Sequence, residues 1–109
     1  MVETLKVLGQ VAPSATTLTV AYTVPAATST VVSSIIICNS NNTNQTFRIS
    51  IAPAGAADNI KQYMYYDLPI LANDTFIATV GISLATTDVV RCYASATNMA
   101  FQLSGVEVT

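Results

Sequence analysis

Apolar and polar residues alternate with a period of two in one short segment after another of this chain. Nowhere does an apolar stripe recur at the 3.6-residue period over the length of a helix, so the pattern predicts strands and no long helix. Eight strands are expected, at Leu5–Val11, Leu18–Val24, Thr30–Asn39, Thr46–Ala52, Lys61–Leu68, Thr75–Ile82, Val89–Ala94 and Met99–Val108. The segments between them are breakers with different mechanisms. Pro13, Pro25, Pro53 and Pro69 lack the ladder donor, while the Asn-rich tract Asn39 to Gln45 carries side chains that bond their own backbone and tolerate left-handed conformations. The pattern allows one short helical turn, within Ala54–Asn59.

Two of the strands depart from simple alternation. In Lys61–Leu68, Tyr63 and Tyr65 are expected on one face and Met64, Tyr66 and Leu68 on the other. In Ser34–Cys38, Ile35 and Ile37 oppose Ile36 and Cys38. A two-layer sandwich hides one face of each sheet and wets the other, so strands that are bulky on both faces need cover. A partner subunit is the preferred source of that cover, and the chain's own loops are the alternative. Tyrosine suits a subunit interface because its ring buries area while its hydroxyl stays satisfied at a wet rim.

The residue types agree with a β fold. Val (12), Ile (9) and Thr (15) make up 36 of the 109 residues, and their branched, stiff side chains suit a pleated surface better than a helix. At 11.5 kDa the chain has surface for one core, so residues 1–109 are read as a single β-sandwich domain. Residues Thr17 to Val32 align without gaps on Thr75 to Val90, an offset of 58, matching Thr17/Thr75, Ala27/Ala85, Thr28/Thr86, Val31/Val89 and Val32/Val90. Two equivalent four-strand halves fit an antiparallel two-sheet sandwich of jelly-roll or Greek-key type. An immunoglobulin-like sandwich without internal symmetry is the alternative.

Charge and chemistry narrow the function classes. With 4 Lys+Arg against 6 Asp+Glu and a net charge of -2, no basic face is available for nucleic acid. The polar surface falls to Thr, Ser and Asn, and a neutral surface of that kind suits life within an assembly. His is absent, so general acid-base chemistry would have to run on carboxylates. Asp58, Asp67, Asp74 and Asp88 sit at expected turns and strand ends, where Asp ordinarily caps; a glycosidase-like pairing of Asp67 with Asp74 has nothing to fix its separation. The four glycines form no phosphate loop and the acids no cation loop, so no catalytic, cofactor or metal residue is expected. The start MVETLKVLGQ is interrupted by Glu3 and Lys6 before a signal-peptide core can form, and the longest strongly apolar run, Ile35–Cys38, is far short of a membrane helix. Cys38 and Cys92 match no zinc or CxxC spacing and are expected as two buried free thiols, with a disulfide across the core as the minor alternative.

Longer phrases carry a resemblance. Lys6 to Gln10, Tyr22 to Ser29, Phe47-Arg48, Pro53 to Ala57, Lys61 to Tyr63, Tyr65 to Asp67, Pro69-Ile70, Ala72 to Phe76 and Thr87 to Val90 together resemble a family of small β proteins of tailed-phage virions, over nearly the whole chain from Lys6 to Thr109. Some members look like the trimeric cement proteins that decorate capsids. The resemblance implies a non-enzymatic virion component without cofactors, assembled in the host cytoplasm. It would be a homotrimer on the outer surface of the capsid that clamps neighbouring major capsid proteins, with neither nucleic acid nor membrane as partner. A tail- or fibre-associated structural protein is the first alternative and a carbohydrate-binding module on the virion surface the second. The interface candidates are Tyr63, Tyr65, Ile36 and, in the Asn-rich loop, Asn41, Asn42 and Asn44.

Overall fold

Eight strands form, and their order in space departs from their order in the chain. The computed structural model describes every residue from Met1 to Thr109. It contains β1 (Glu3–Val11), β2 (Thr19–Thr23), β3 (Ser29–Asn39), β4 (Gln45–Ala52), β5 (Tyr63–Ile70), β6 (Thr75–Leu84), β7 (Val89–Ala94) and β8 (Met99–Val108). The first sheet runs β1-β8-β3-β6 and the second β2-β7-β4-β5, with every pairing antiparallel. Strand 1 pairs with 8, 2 with 7, 3 with 6 and 4 with 5, alternating between the two sheets. That is a long antiparallel ribbon rolled into a sandwich, the eight-stranded jelly roll. An immunoglobulin-like arrangement would pair β1 with β2 in one sheet, and the order here excludes it.

The alternation of each strand decides what the two sheets bury between them. Ile35 and Ile37 from β3, Phe47 and Ile49 from β4, and Met99, Phe101 and Leu103 from β8 are fully buried. The Phe47 ring meets those of Tyr65, Phe76 and Phe101 at 5.9, 5.5 and 6.2 Å, which ties both sheets to one aromatic centre. Where β1 swings towards β2, a Cβ on Gly9 would lie 2.3 Å from the Ala21 carbonyl oxygen, so only glycine fits the close approach.

The 58-residue offset has a physical counterpart. Thr28 N–H donates to Thr86 Oγ1 (3.2 Å), whose hydroxyl donates to Thr28 O (2.9 Å), and these two residues are aligned by the offset. At the other end of β3, Ser40 N–H donates to Asn98 O (3.1 Å), again across 58 positions. The aligned threonines of the two halves therefore touch directly at one end of the sandwich.

Two local expectations need correction. The single helical turn expected within Ala54–Asn59 is met only at its start, where the 3-10 turn Pro53–Gly55 overlaps it, and a second 3-10 turn, Ile60–Gln62, follows it. The second is started by Asn59, whose side chain accepts from Lys61 N–H (3.2 Å), and it takes Lys61 and Gln62 away from the expected fifth strand. Nor do Tyr63 and Tyr65 share a face. β5 slips register against β4 twice, once between Ile49 and Ser50 and once between Phe47 and Ile49, where Tyr66 and Asp67 together oppose Arg48. Asp67 adopts φ 52°, the left-handed residue of that bulge. The bulges turn Tyr65 inward against Phe47 and Phe76, while Tyr63 meets Tyr66 edge to face at 5.1 Å on the outside.

Candidate functional site: the outer face of the first sheet

The two sheets treat their outer faces differently. On the second sheet, the link 53–62 folds back so that its 3-10 turns pack on β7 and β4. Arg91 holds it there, donating through Nη1 to Ala56 O (2.9 Å) and through Nη2 to Gly55 O (3.3 Å). Ser50, Ala52 and Val89 are buried on the side away from the core. Beyond the link, Arg48 lies over the rings of Tyr66 and Tyr93 at 4.1 and 4.2 Å and grips Asp67 with two hydrogen bonds, Nε to Oδ1 at 2.6 Å and Nη2 to Oδ2 at 3.2 Å. Those bonds raise the Arg48 pKa further above its usual value. Tyr63 donates to Asp58 (3.1 Å), and burial together with that bond raises its pKa. The chain's own residues thus cover or partner most of this face.

The first sheet has no such cover. Register places Leu5, Val106, Val31 and Ser83 in one outward row, and Val7, Ser104, Ser34 and Thr79 in the next. Gln10, Gln102, Ile36 and Ile77 form the third. Leu5 is 80% exposed, Ile77 63% and Val7 53%. Glu3, beside Val108 at one corner, is the one charged residue whose register faces it outward here. Lys6 and Glu107 lie on the inner side of the same strands. Glu107 accepts from Tyr22 OH (2.6 Å) and from Lys6 Nζ (3.3 Å) at the open seam between β1 and β2, and these bonds, Tyr22's first, lower its pKa. The result is a nearly uncharged outer face four strands wide, on which Leu5, Val7, Val31, Val106, Ile36 and Ile77 stand among Ser, Thr and Gln side chains.

No family model matches this chain, and no curated protein matches it.

The expected interface residues scatter over the molecule. Ile36 stands on the outer face of the first sheet beside Ile77. Tyr65 is turned into the core and Tyr63 lies on the second sheet. In the Asn-rich loop, Asn41 Nδ2 donates to Asn39 Oδ1 (3.0 Å) and Thr97 O (2.8 Å), and Asn44 Oδ1 accepts from Ala72 N–H (3.0 Å). Asn42 is exposed. The organiser of this end is Asn39, fully buried, whose amide donates to Thr43 O (3.1 Å) and Leu71 O (3.0 Å) and accepts from Asn41 N–H (3.0 Å). Leu5, Val7, Val31 and Ile77 are ordinary strand residues in their own stretches of sequence, with nothing local to mark their face as uncovered. Only the pairing of distant strands brings them onto one face.

The four aspartates are occupied in structural roles. Asp88 accepts from Ala54 and Ala85 N–H (both 2.9 Å), Asp74 from Thr75 N–H (2.8 Å), and Asp67 is held by Arg48. No group of three metal-ligating side chains occurs. The thiols are free and stand apart: Cys92 is in the core, where burial raises its pKa to about 12, whereas Cys38 is half-buried on the outer face of the first sheet and so departs from the expected pair of buried thiols. A shallow depression of about 320 Å³ between Gln10–Ala12 and Ala100–Gln102 carries no convergent charged groups.

Proposed function

We propose that this protein is a non-enzymatic structural component of a tailed-phage virion: a cement protein that assembles as a homotrimer and clamps neighbouring major capsid proteins on the outer surface of the head. The observation that carries the reading is the neutral outer face of the first sheet, with Leu5, Val7, Val31, Ile36 and Ile77 in adjoining rows. Exposed aliphatic side chains gathered on one uncharged, uncovered sheet face are a feature of surfaces that associate. The phrases from Lys6 to Thr109 that resemble virion β proteins supply the setting. The mechanism is mass action. A protein that binds only the expanded shell stabilises it by about 2.7 kcal/mol per site at a hundredfold excess over the dissociation constant.

Labelling intact virions with an antibody against this chain tests the reading. Label over the head supports it. Label confined to the tail transfers the proposal to a tail- or fibre-associated structural protein, and absence from purified virions overturns both. A glycan-binding reading draws on the aromatic cluster of the second sheet, where Tyr66 and Tyr93 flank Arg48. Lack of binding across a broad glycan panel removes it.

A further inference from the structure

A sheet edge exposes unpaired backbone donors and acceptors, and proteins blunt such edges with charge, proline, bulges or brevity. Three of the four edges here are blunted. β1 carries Glu3 and Lys6 and breaks register between Val7 and Gly9. β2 has five residues and a break between Val20 and Tyr22. β5 contains Pro69, the left-handed Asp67 and two register slips. β6 is different. It has ten residues, no charge and no proline, and pairs only with β3. Its irregularity falls at Val80-Gly81, which leaves Thr75–Thr79 in unbroken register against Ser34–Cys38.

We infer that the free edge of β6 pairs antiparallel with β6 of a second copy of this chain, about a two-fold axis through Ile77. Three features of the strand favour a copy of itself as the occupant. A two-fold at Ile77 sets Ile77 against Ile77 and Thr75 against Thr79 of the second copy, branched pairs that stabilise adjacent strands. Neither β6 nor its neighbour β3 holds a charged residue, so two copies meet without repulsion. The outward row Gln102–Ile36–Ile77 then continues into Ile77 and Ile36 of the second copy, and the first sheets fuse into one eight-stranded sheet. The contact is small, below the roughly 1,200 Å² of standard interfaces, so it is weak between free chains and effective where copies are held close together. A cyclic trimer uses heterologous contacts, which places this isologous contact between trimers rather than inside one.

Site-specific cross-linking tests it on the full chain with Cys38→Ser, which leaves only the buried Cys92. Ile77→Cys changes a side chain that is 63% exposed and leaves the core intact. On mild oxidation it is expected to give a covalent dimer of twice the 11.5 kDa chain mass on a denaturing gel. Thr75→Cys and Thr79→Cys are each expected to lose that dimer when alone and to regain it when mixed. Failure of Ile77→Cys to cross-link, or cross-linking of Thr75→Cys alone as well as in the mixture, overturns the pairing. Because purified protein is used, the outcome is independent of where the chain sits in a virion.

Discussion

Tyr22 shows how one side chain closes the open seam of the sandwich. Its ring is buried, and its hydroxyl both contacts Thr30 Oγ1 at 2.8 Å and donates to Glu107 at 2.6 Å. Burial first, then the Glu107 bond, raises the phenol pKa from 10.0 to about 12. A raised pKa means that the fold favours the protonated phenol, so this contribution is complete below pH 10.0 and is lost as pH rises towards 12. For Glu107 the sign is opposite. Its pKa is lowered, so its contribution is present above the usual carboxylate range and is lost as pH falls through the folded-state value. Tyr22→Phe is expected to cost about 2 kcal/mol at neutral pH, because it deletes a charge-assisted bond and strands the Thr30 hydroxyl in the interior. It should also flatten the alkaline limb of stability between pH 10.0 and 12. Chemical denaturation across pH measures both, and an unchanged alkaline limb would assign that limb to other groups.

At the scale of elements, the strand positions were legible because alternation and turn chemistry are local properties. β3, β7 and β8 formed within a residue of their expected bounds, and Pro13, Pro25 and Pro53 fell in breaks, whereas Pro69, expected as a breaker, lies inside β5, an edge strand that needs no donor on its free side. β5 was legible in position and not in facing. A bulge exchanges the faces of everything beyond it, and the slip at Met64, between Ile49 and Ser50 of the partner strand, is why Tyr63 and Tyr65 part company. The same limit hid the outer face of the first sheet: its rows join residues as distant as Leu5 and Val106, and no window along the chain contains both. The link 53–62, two 3-10 turns with an irregular stretch between them, is held to the second sheet largely through Arg91. Arg91→Ala is expected to cost about 1 kcal/mol of global stability for its lost bonds to carbonyls. It should accelerate hydrogen exchange in 53–62 while leaving β3 and β8 unchanged. Equal exchange in parent and variant would show that Asp88, bonded to Ala54 N–H, suffices to hold the link.

The whole molecule measures 45 × 27 × 19 Å, a slab with one self-covered broad face and one open one. Ionic groups are few, and the two ion pairs, Lys6–Glu107 and Arg48–Asp67, lie on the inner seam and the second sheet. Association through the first sheet should therefore be nearly indifferent to salt. Raising ionic strength from 0.1 to 1 M shortens the Debye length from about 10 Å to about 3 Å, and sedimentation at both should give the same distribution of species. A pronounced shift towards monomer at high salt would move the interface to the Arg48 cluster. The rolled-ribbon order also governs when the open face comes into being. β8, the last of these eight strands in chain order, is not at an edge; it lies between β1 and β3 in the middle of the first sheet. Until it emerges from the ribosome, β1 has no neighbour and the outward rows are split in two. A nascent chain can zip β4 to β5 and β3 to β6 early, because their loop closures are short, whereas the β1 to β8 closure spans nearly the whole chain and comes late. The outer face of the first sheet is thus completed by the latest pairing, whereas the free edge of β6 needs only the early pairing of β6 with β3, so the two surfaces come into being at different stages of folding.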